Sequence, residues 1–445
     1  MLNHSRKNAG NRELRIMTDF HFDPEPLRRQ FPSLGLTLDG HPAVFFDNPG
    51  GTQVPERVID AVTSYYKHAN ANVGGAFETS RRTDAVVAEA RLAMADLLNA
   101  PGPETIVFGP SMTALTFHLA RSLAETIAPD DEVIVTALDH DANVAPWTDL
   151  EAAGAVVKVV DVNLADGTLD LTSFARLLSP RTKLVAVTHA SNAVGTVPDV
   201  AEITRLAHEV GALIFIDAVQ YAPHGPIDVQ TLDCDFLACS PYKFFGPHAG
   251  VLYGKAEHLT RLTPHKVKPS KNAIPYKWEL GTLSHESLAG VSASIAYLES
   301  VGEHYGAPFR AGYEAAGYTG RRLTLKTAMA AIKACEQTLS RHLLAGLQSL
   351  SDVTIYGLSD TSRLEERLPT VAWTWPRLSP RETAEYLAER GICVWSGNYY
   401  ALRLMEAYGL EGHGGAVRVG LAHYNTTAEI DRMIAALRAV PMEKK

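Results

Sequence analysis

Cysteine is scarce in this chain of 445 residues, with four in all, at Cys234, Cys239, Cys335 and Cys393. No two of them form a CxxC pair, which excludes the common zinc spacings and a disulfide framework. Positive charge is in deficit: 41 Lys and Arg face 50 Asp and Glu, a formal net charge of −9. Without a basic excess to neutralise phosphates, nucleic acid is excluded as the main partner. No apolar run approaches the roughly 20 residues that a membrane-spanning helix needs. Met1 to Ile16 is polar and basic with no apolar centre, so it is not a secretory signal. It reads either as a disordered tail or as sequence upstream of a natural start at Met17. A soluble cytoplasmic protein is expected. Also lacking are a GxGxxG after a strand-like run and a GxxxxGK[ST], which sets aside the common nucleotide-binding loops. Internal repeats and low-complexity segments are absent.

What is present is an ordinary globular composition, 46% hydrophobic and 20% charged, in a chain long enough for one large and one smaller domain. Short apolar, β-branched runs alternate with helix-like stretches: Thr105–Phe108, Glu132–Thr136, Val156–Val160, Lys183–Val187, Ala212–Ile216, Asp235–Cys239 and Gly250–Tyr253. Runs apolar on both faces predict a mostly parallel sheet covered by helices on both sides, a three-layer α/β/α domain. After about Gly281 the pattern changes to long helices (284–304 and roughly 323–350). Alternating strands and further helices follow, which predicts a smaller α+β domain. The expected division is a tail over 1–19, a large domain over 40–283, and a small domain from 20–39 with 284–445.

Two of the strand-like runs end in chemistry. Ala212-Leu-Ile-Phe-Ile-Asp217 ends in a carboxylate, and Asp235-Phe-Leu-Ala-Cys-Ser-Pro-Tyr-Lys243 leads to an amine. Ligands of such sheets sit at the carboxyl ends of strands. An amine and an acid there are the minimum kit for pyridoxal 5′-phosphate (PLP): the amine forms an imine with its aldehyde, and the acid keeps a proton on the pyridine nitrogen. Asp217 is also suited to cap a helix after the strand.

Six motifs then occur in order: Phe46-Asp-Asn-Pro-Gly-Gly-Thr52, His140-Asp-Ala-Asn-Val-Ala-Pro-Trp147, Thr188-His-Ala-Ser-Asn-Ala-Val-Gly-Thr196, Ile216-Asp-Ala-Val-Gln220, Ser240-Pro-Tyr-Lys243 and Trp278-Glu-Leu-Gly-Thr282. Together they resemble the class V aminotransferase group of fold type I PLP enzymes, nearest the cysteine desulfurases and selenocysteine lyases. The likeness runs from about residue 25 to 440. It implies Lys243 as the Schiff-base lysine and Asp217 on the pyridine nitrogen. Gln220 would donate to the phenolic oxygen. His140 would stack on the ring and shuttle protons. Asn192 would lie near the phenolic oxygen and the substrate carboxylate. Met112, Thr113, Ser240 and Tyr242 fall on phosphate-binding positions, with Met112 able to offer only its backbone N–H. Tyr242 stands where a histidine is usual. Thr282 would reach the phosphate of a neighbouring subunit, which implies a homodimer with shared sites. Arg418 would clamp the substrate carboxylate through paired hydrogen bonds.

The resemblance breaks at the loop that carries the persulfide cysteine in desulfurases. In Gly391-Ile-Cys-Val-Trp-Ser-Gly-Asn-Tyr-Tyr-Ala-Leu402, Tyr400 occupies that position, and Trp395 stands where many members place a second substrate arginine. Ala71-Asn-Val-Gly-Gly-Ala-Phe77 resembles the substrate-side loop without its histidines. Tyr399, Tyr400, Trp395 and Phe77 thus predict a less polar pocket. Tyr400 is read equally as a proton donor or acceptor and as a packing ring. No metal is expected. The resemblance implies a lyase breaking a carbon–sulfur or carbon–selenium bond of an amino acid without a persulfide cysteine. An epimerase or aminotransferase of the same type, and a non-catalytic PLP-binding protein, remain as alternatives.

Overall fold

The computed structural model describes residues 20–441, so the N-terminal stretch read as a tail lies outside the described residues. Its main sheet has seven strands: β1 (Ile106–Gly109), β2 (Glu132–Thr136), β3 (Val156–Val160), β4 (Thr182–Thr188), β5 (Leu213–Asp217), β6 (Phe236–Cys239) and β7 (Gly250–Gly254), in the order β1-β7-β6-β5-β4-β2-β3. β7 alone runs antiparallel to its neighbours β6 and β1; the other pairings are parallel.

Successive side chains of a strand point to opposite faces, and in β5 they enter different cores. Ile214 and Ile216 join one cluster, with Ala90, Met94 and Leu98 of α2 (Glu78–Leu98), which follows α1 (Glu56–His68). Phe215 joins the other, with Leu115 and Leu119 of α3 (Met112–Ala124). Burial of both faces explains why the strands read as continuous apolar runs. Each fully buried Ile or Phe contributes on the order of 2 kcal/mol.

The second part is a four-stranded antiparallel sheet of β8 (Thr354–Tyr356), β9 (Thr370–Thr374), β10 (Trp395–Gly397) and β11 (Ala416–Gly420), in the order β8-β9-β11-β10. Its core combines Val371, Trp373, Val417 and Val419 with Leu343 and Leu347 of a long helix over Gly320–Gln348 and with Ile430 and Met433 of a helix over Thr427–Arg438. The latter starts with a capping box, Thr426 with Glu429. The helix His285–Tyr305 packs against α1, α2 and Gly320–Gln348, and so joins the two parts. Val44–Phe45 pairs in parallel with Ile392–Cys393 as a separate two-stranded sheet, and Asp47 bridges to Gly420 of β11, which brings this segment against the small sheet.

Candidate active site

Parallel register places the functional positions side by side. Asp217, the last residue of β5, lies opposite Thr188 of β4 and Ala238 of β6. Beyond Thr188 the chain leads to Asn192, and beyond Ala238 it enters the short 3-10 turn Pro241–Lys243. His140 follows the end of β2. One carboxyl-end cleft therefore gathers residues from four separate stretches of sequence.

Lys243 is 7% exposed. Burial and the charge of Arg418 bring its amine down to about 7, with Asp217 and Asp47 partly opposing. Among the described residues no carboxylate pairs with it directly. Nζ donates to the Pro49 carbonyl, which also accepts from Gln220 Nε2 at 2.9 Å. Asp217 is buried, accepts from the Val219 N–H at 2.9 Å, and is raised to about 6 by desolvation. A buried amine that is partly neutral near pH 7 is a nucleophile, and a buried carboxylate beside it seeks a cationic partner.

His140 is set by the turn that precedes it. Asp139 is buried, accepting from Thr136 Oγ1 and, at 2.7 Å, from Asn143 Nδ2; Trp147 Nε1 in turn donates to Asn143 Oδ1 at 2.9 Å. Burial raises the Asp139 carboxyl above its ordinary range. The Ala142 N–H donates to His140 Nδ1 at 3.0 Å, and burial with the charges of Lys243 and Arg418 lowers the imidazole to about 4. The ring is therefore neutral, with its proton on Nε2.

Arg418 lies within β11, opposite Trp395 of β10. Its Nη1 donates to the Asn192 carbonyl at 2.8 Å, its guanidinium sits 4.3 Å from the Tyr399 ring centre, and its buried Nε has no partner among the described residues. Burial lowers it to about 10. The Asn192 amide donates to the Tyr399 carbonyl at 2.8 Å, which leaves the buried Asn192 Oδ1 unpartnered; Asp47 Oδ1 is likewise buried and unpartnered.

The loop between β10 and Leu402 is a fixed wall. Tyr399 donates its hydroxyl to the Ala416 carbonyl, and the Tyr400 carbonyl accepts from the Asp141 N–H at 2.7 Å. Both tyrosines have left-handed backbones, at φ +57° and +59°, a conformation costing non-glycine residues about 1–2 kcal/mol each. The Tyr400 ring, 73% exposed, stacks on His140 at 5.4 Å and 24°. Trp395, 51% exposed, covers the Pro49–Gly50 turn: a Cβ on Gly50 would lie 2.7 Å from its Nε1. Phe77 is exposed just before α2. Of the four cysteines, Cys234 and Cys239 are buried and Cys335 and Cys393 half-buried. Burial raises all four thiols, that of Cys393 to about 11.

A second end of the cleft lies at the start of α3, where free N–H groups favour anions. Ser111 caps it through Ala114 N, 3.1 Å. The Met112 side chain turns into the core, whereas Thr113 is exposed. β7 touches this turn because Gly250 has no side chain: a Cβ there would lie 2.3 Å from the Ser111 carbonyl carbon. Ser240 is buried, and Tyr242 lies against Gly51 and stacks on His248. Thr282 lies elsewhere, exposed in the loop before His285, and among the described residues it hydrogen-bonds to nothing in its own chain.

Two contributors are not singled out from the sequence as site residues. Asp47 lies inside the Phe46–Thr52 motif, and only the fold shows it facing Arg418 and Lys243. Tyr399 reads as pocket lining rather than as the platform for Arg418.

A buried amine, a buried carboxylate and inward-facing unpartnered groups at Asn192 and Arg418, with an anion-favouring helix start beyond, fit PLP. The fold and the site define a fold type I PLP-dependent enzyme. The family described as "Aminotransferase class-V" matches residues 44–307 and 309–433, and the chain belongs to it. It is 33% identical, over 94% of its length, to a cysteine desulfurase of Synechococcus elongatus, of whose length it spans 64%. It is 34% identical to the aminotransferase-like protein FGM3 of Gibberella zeae, over 95% of this chain and 100% of the other. Among solved structures, the cysteine desulfurase CsdA of Escherichia coli superposes with a TM-score of 0.76 at 28% identity, covering 94% and 98% of the two chains. This is a cysteine desulfurase-like class V PLP enzyme.

Proposed function

We propose that the protein is an amino-acid lyase that breaks a carbon–sulfur or carbon–selenium bond at Cβ without a persulfide cysteine. The observation that carries this reading is the wall at Tyr399–Tyr400. A tyrosine tied back to Asp141 and stacked on His140 stands there, while two of the four thiols are buried, two are half-buried, and burial raises all four.

PLP, when bound at Lys243, supplies an electron sink conjugated to the substrate's Cα. Arg418 holds the carboxylate with its unpartnered Nε and the adjoining Nη2, fixed in plane by Tyr399. Lys243, with an amine near 7, takes the Cα proton. His140 is a stacking group and Nε2 donor rather than a base, because Nδ1 is already committed to Ala142. Asp217 would hold a proton on the pyridine nitrogen of the bound cofactor. In the elimination, the Cα proton leaves to Lys243 and the Cβ–S bond breaks with its electron pair on sulfur. Sulfide departs to solvent, and water then releases pyruvate and ammonia.

A panel of cysteine, cysteine sulfinate, selenocysteine and S-substituted cysteines, assayed for pyruvate and alanine, tests this. Turnover of at least one member is expected, and Cys393→Ser should keep more than half of it. No turnover on any substrate, or loss of turnover in Cys393→Ser with PLP still bound, would overturn the reading. The likeness to an aminotransferase-like protein favours transamination or epimerisation as the second reading; Cα deuterium exchange without elimination would select it.

The active unit is proposed to be a homodimer in which Thr282 serves the partner's site. Its exposure beside the exposed Leu280 and Tyr276 supports this. No described helix is long and apolar enough to cross a membrane, which is compatible with the cytoplasmic location proposed from the sequence.

A further inference from the structure

The phosphate end of the cleft has donors but little charge. Met112, Thr113, Ser240, Tyr242 and Thr282 bring no cation, although a phosphate monoester carries a charge of about −1.5 to −2 near neutrality. A helix start compensates only a fraction of that. We propose that His248 is a further hydrogen-bond donor to the cofactor phosphate, held in place by stacking on Tyr242.

Three observations carry this. The rings of Tyr242 and His248 are 4.7 Å apart and tilted by 16°, so the imidazole lies flat against a residue that itself borders Lys243, whose Nζ is 4.7 Å from the Tyr242 ring centre. The loop bearing both is closed at each end. Gly246 N–H donates to the Pro241 carbonyl at 2.9 Å, Phe245 turns the chain at φ +69°, and Gly250 packs on the Ser111–Met112 backbone. His248 is therefore two residues from the point where β7 meets the start of α3. Finally, among the described residues its ring nitrogens make no hydrogen bond to protein, although the ring is ordered by the stack. An exposed imidazole with both nitrogens free, two residues from the glycine that packs on the start of α3, is equipped to donate to phosphate.

The inference rests on PLP binding at Lys243, and its test separates the two. PLP and pyridoxal, which lacks the phosphate, are titrated into wild-type protein, His248→Phe and His248→Phe/Tyr242→His, with dissociation constants read from visible absorbance. Phenylalanine keeps the stack and removes the donors. His248→Phe should bind PLP about tenfold more weakly, the scale of one charge-assisted hydrogen bond. Its pyridoxal affinity should be unchanged, and Tyr242→His should restore PLP binding. Equal PLP affinity in His248→Phe and wild type, or a parallel loss for pyridoxal, would refute the role of His248. Failure of the wild type to bind PLP would instead refute the site.

Discussion

The working groups of this cleft are tuned by what surrounds them rather than by what they touch. Among the described residues Lys243 has no direct carboxylate partner, so desolvation and Arg418 outweigh Asp217 and Asp47, and the amine comes down to about 7. The direction fixes a pH dependence. Below about 7 the amine is an ammonium and cannot attack an aldehyde; above it the free base is present. Covalent loading of the unliganded enzyme with PLP should therefore be about tenfold slower at a pH about one unit below that midpoint than on the plateau above it. Stopped-flow absorbance of the growing chromophore against pH measures this, and a rate still climbing steeply between pH 9 and 10 would mean an ordinary lysine. Lys243 and Asp217 were legible from sequence because each ends an apolar run. Asp47 was not: a carboxylate that ends no strand of the main sheet has no local signal, and it reaches the cleft through the pairing of Val44–Phe45 with Ile392–Cys393 and its own bridge to Gly420.

At the scale of elements, the large sheet was readable because burial on both faces writes itself as unbroken apolar runs. The direction of β7 was not, since a doubly buried strand has the same composition parallel or antiparallel. Its antiparallel course has a purpose at the site: it brings Gly250, rather than the far end of the strand, against the turn between Ser111 and Met112. Any side chain there collides with backbone, at 2.3 Å from the Ser111 carbonyl carbon and 2.7 Å from the Met112 nitrogen. Gly250→Ala should push the start of α3 outward and weaken PLP binding at least tenfold, while thermal unfolding stays cooperative; the pair of titration and melting curve checks it. Affinity equal to wild type would show that the turn can yield. Tyr399 and Tyr400 read as pocket lining from the sequence, but their left-handed conformation was not legible, for a different reason. Tyrosine seldom adopts positive φ, and nothing local marks two in succession; the conformation follows from tethers to Asn192, Asp141 and Ala416.

For the whole molecule, the question is where Thr282 acts. The loop that carries it is not loose. Glu279 is clamped by Arg91 in a buried pair at 2.6 Å and accepts from the Phe108 N–H at 2.9 Å, and Trp278 donates to the Leu259 carbonyl at 2.9 Å. Thr282, three residues on, is thus displayed at a set place on the surface with no hydrogen bond to the described residues of its own chain. A second copy is the partner that would give it a task, and mixed dimers distinguish the two arrangements. Thr282→Ala should weaken PLP binding about fivefold, the scale of one neutral hydrogen bond, and Lys243→Ala should lose the imine chromophore. In a hybrid of the two variants, sharing across the interface leaves one cleft damaged twice and the other whole, with Lys243 from one subunit and Thr282 from the other. One site per dimer should then load PLP with wild-type affinity. If Thr282 served its own subunit, the only cleft with a lysine would also lack its threonine, and the hybrid would bind as weakly as Thr282→Ala. A monomer in sedimentation would remove the basis for sharing altogether.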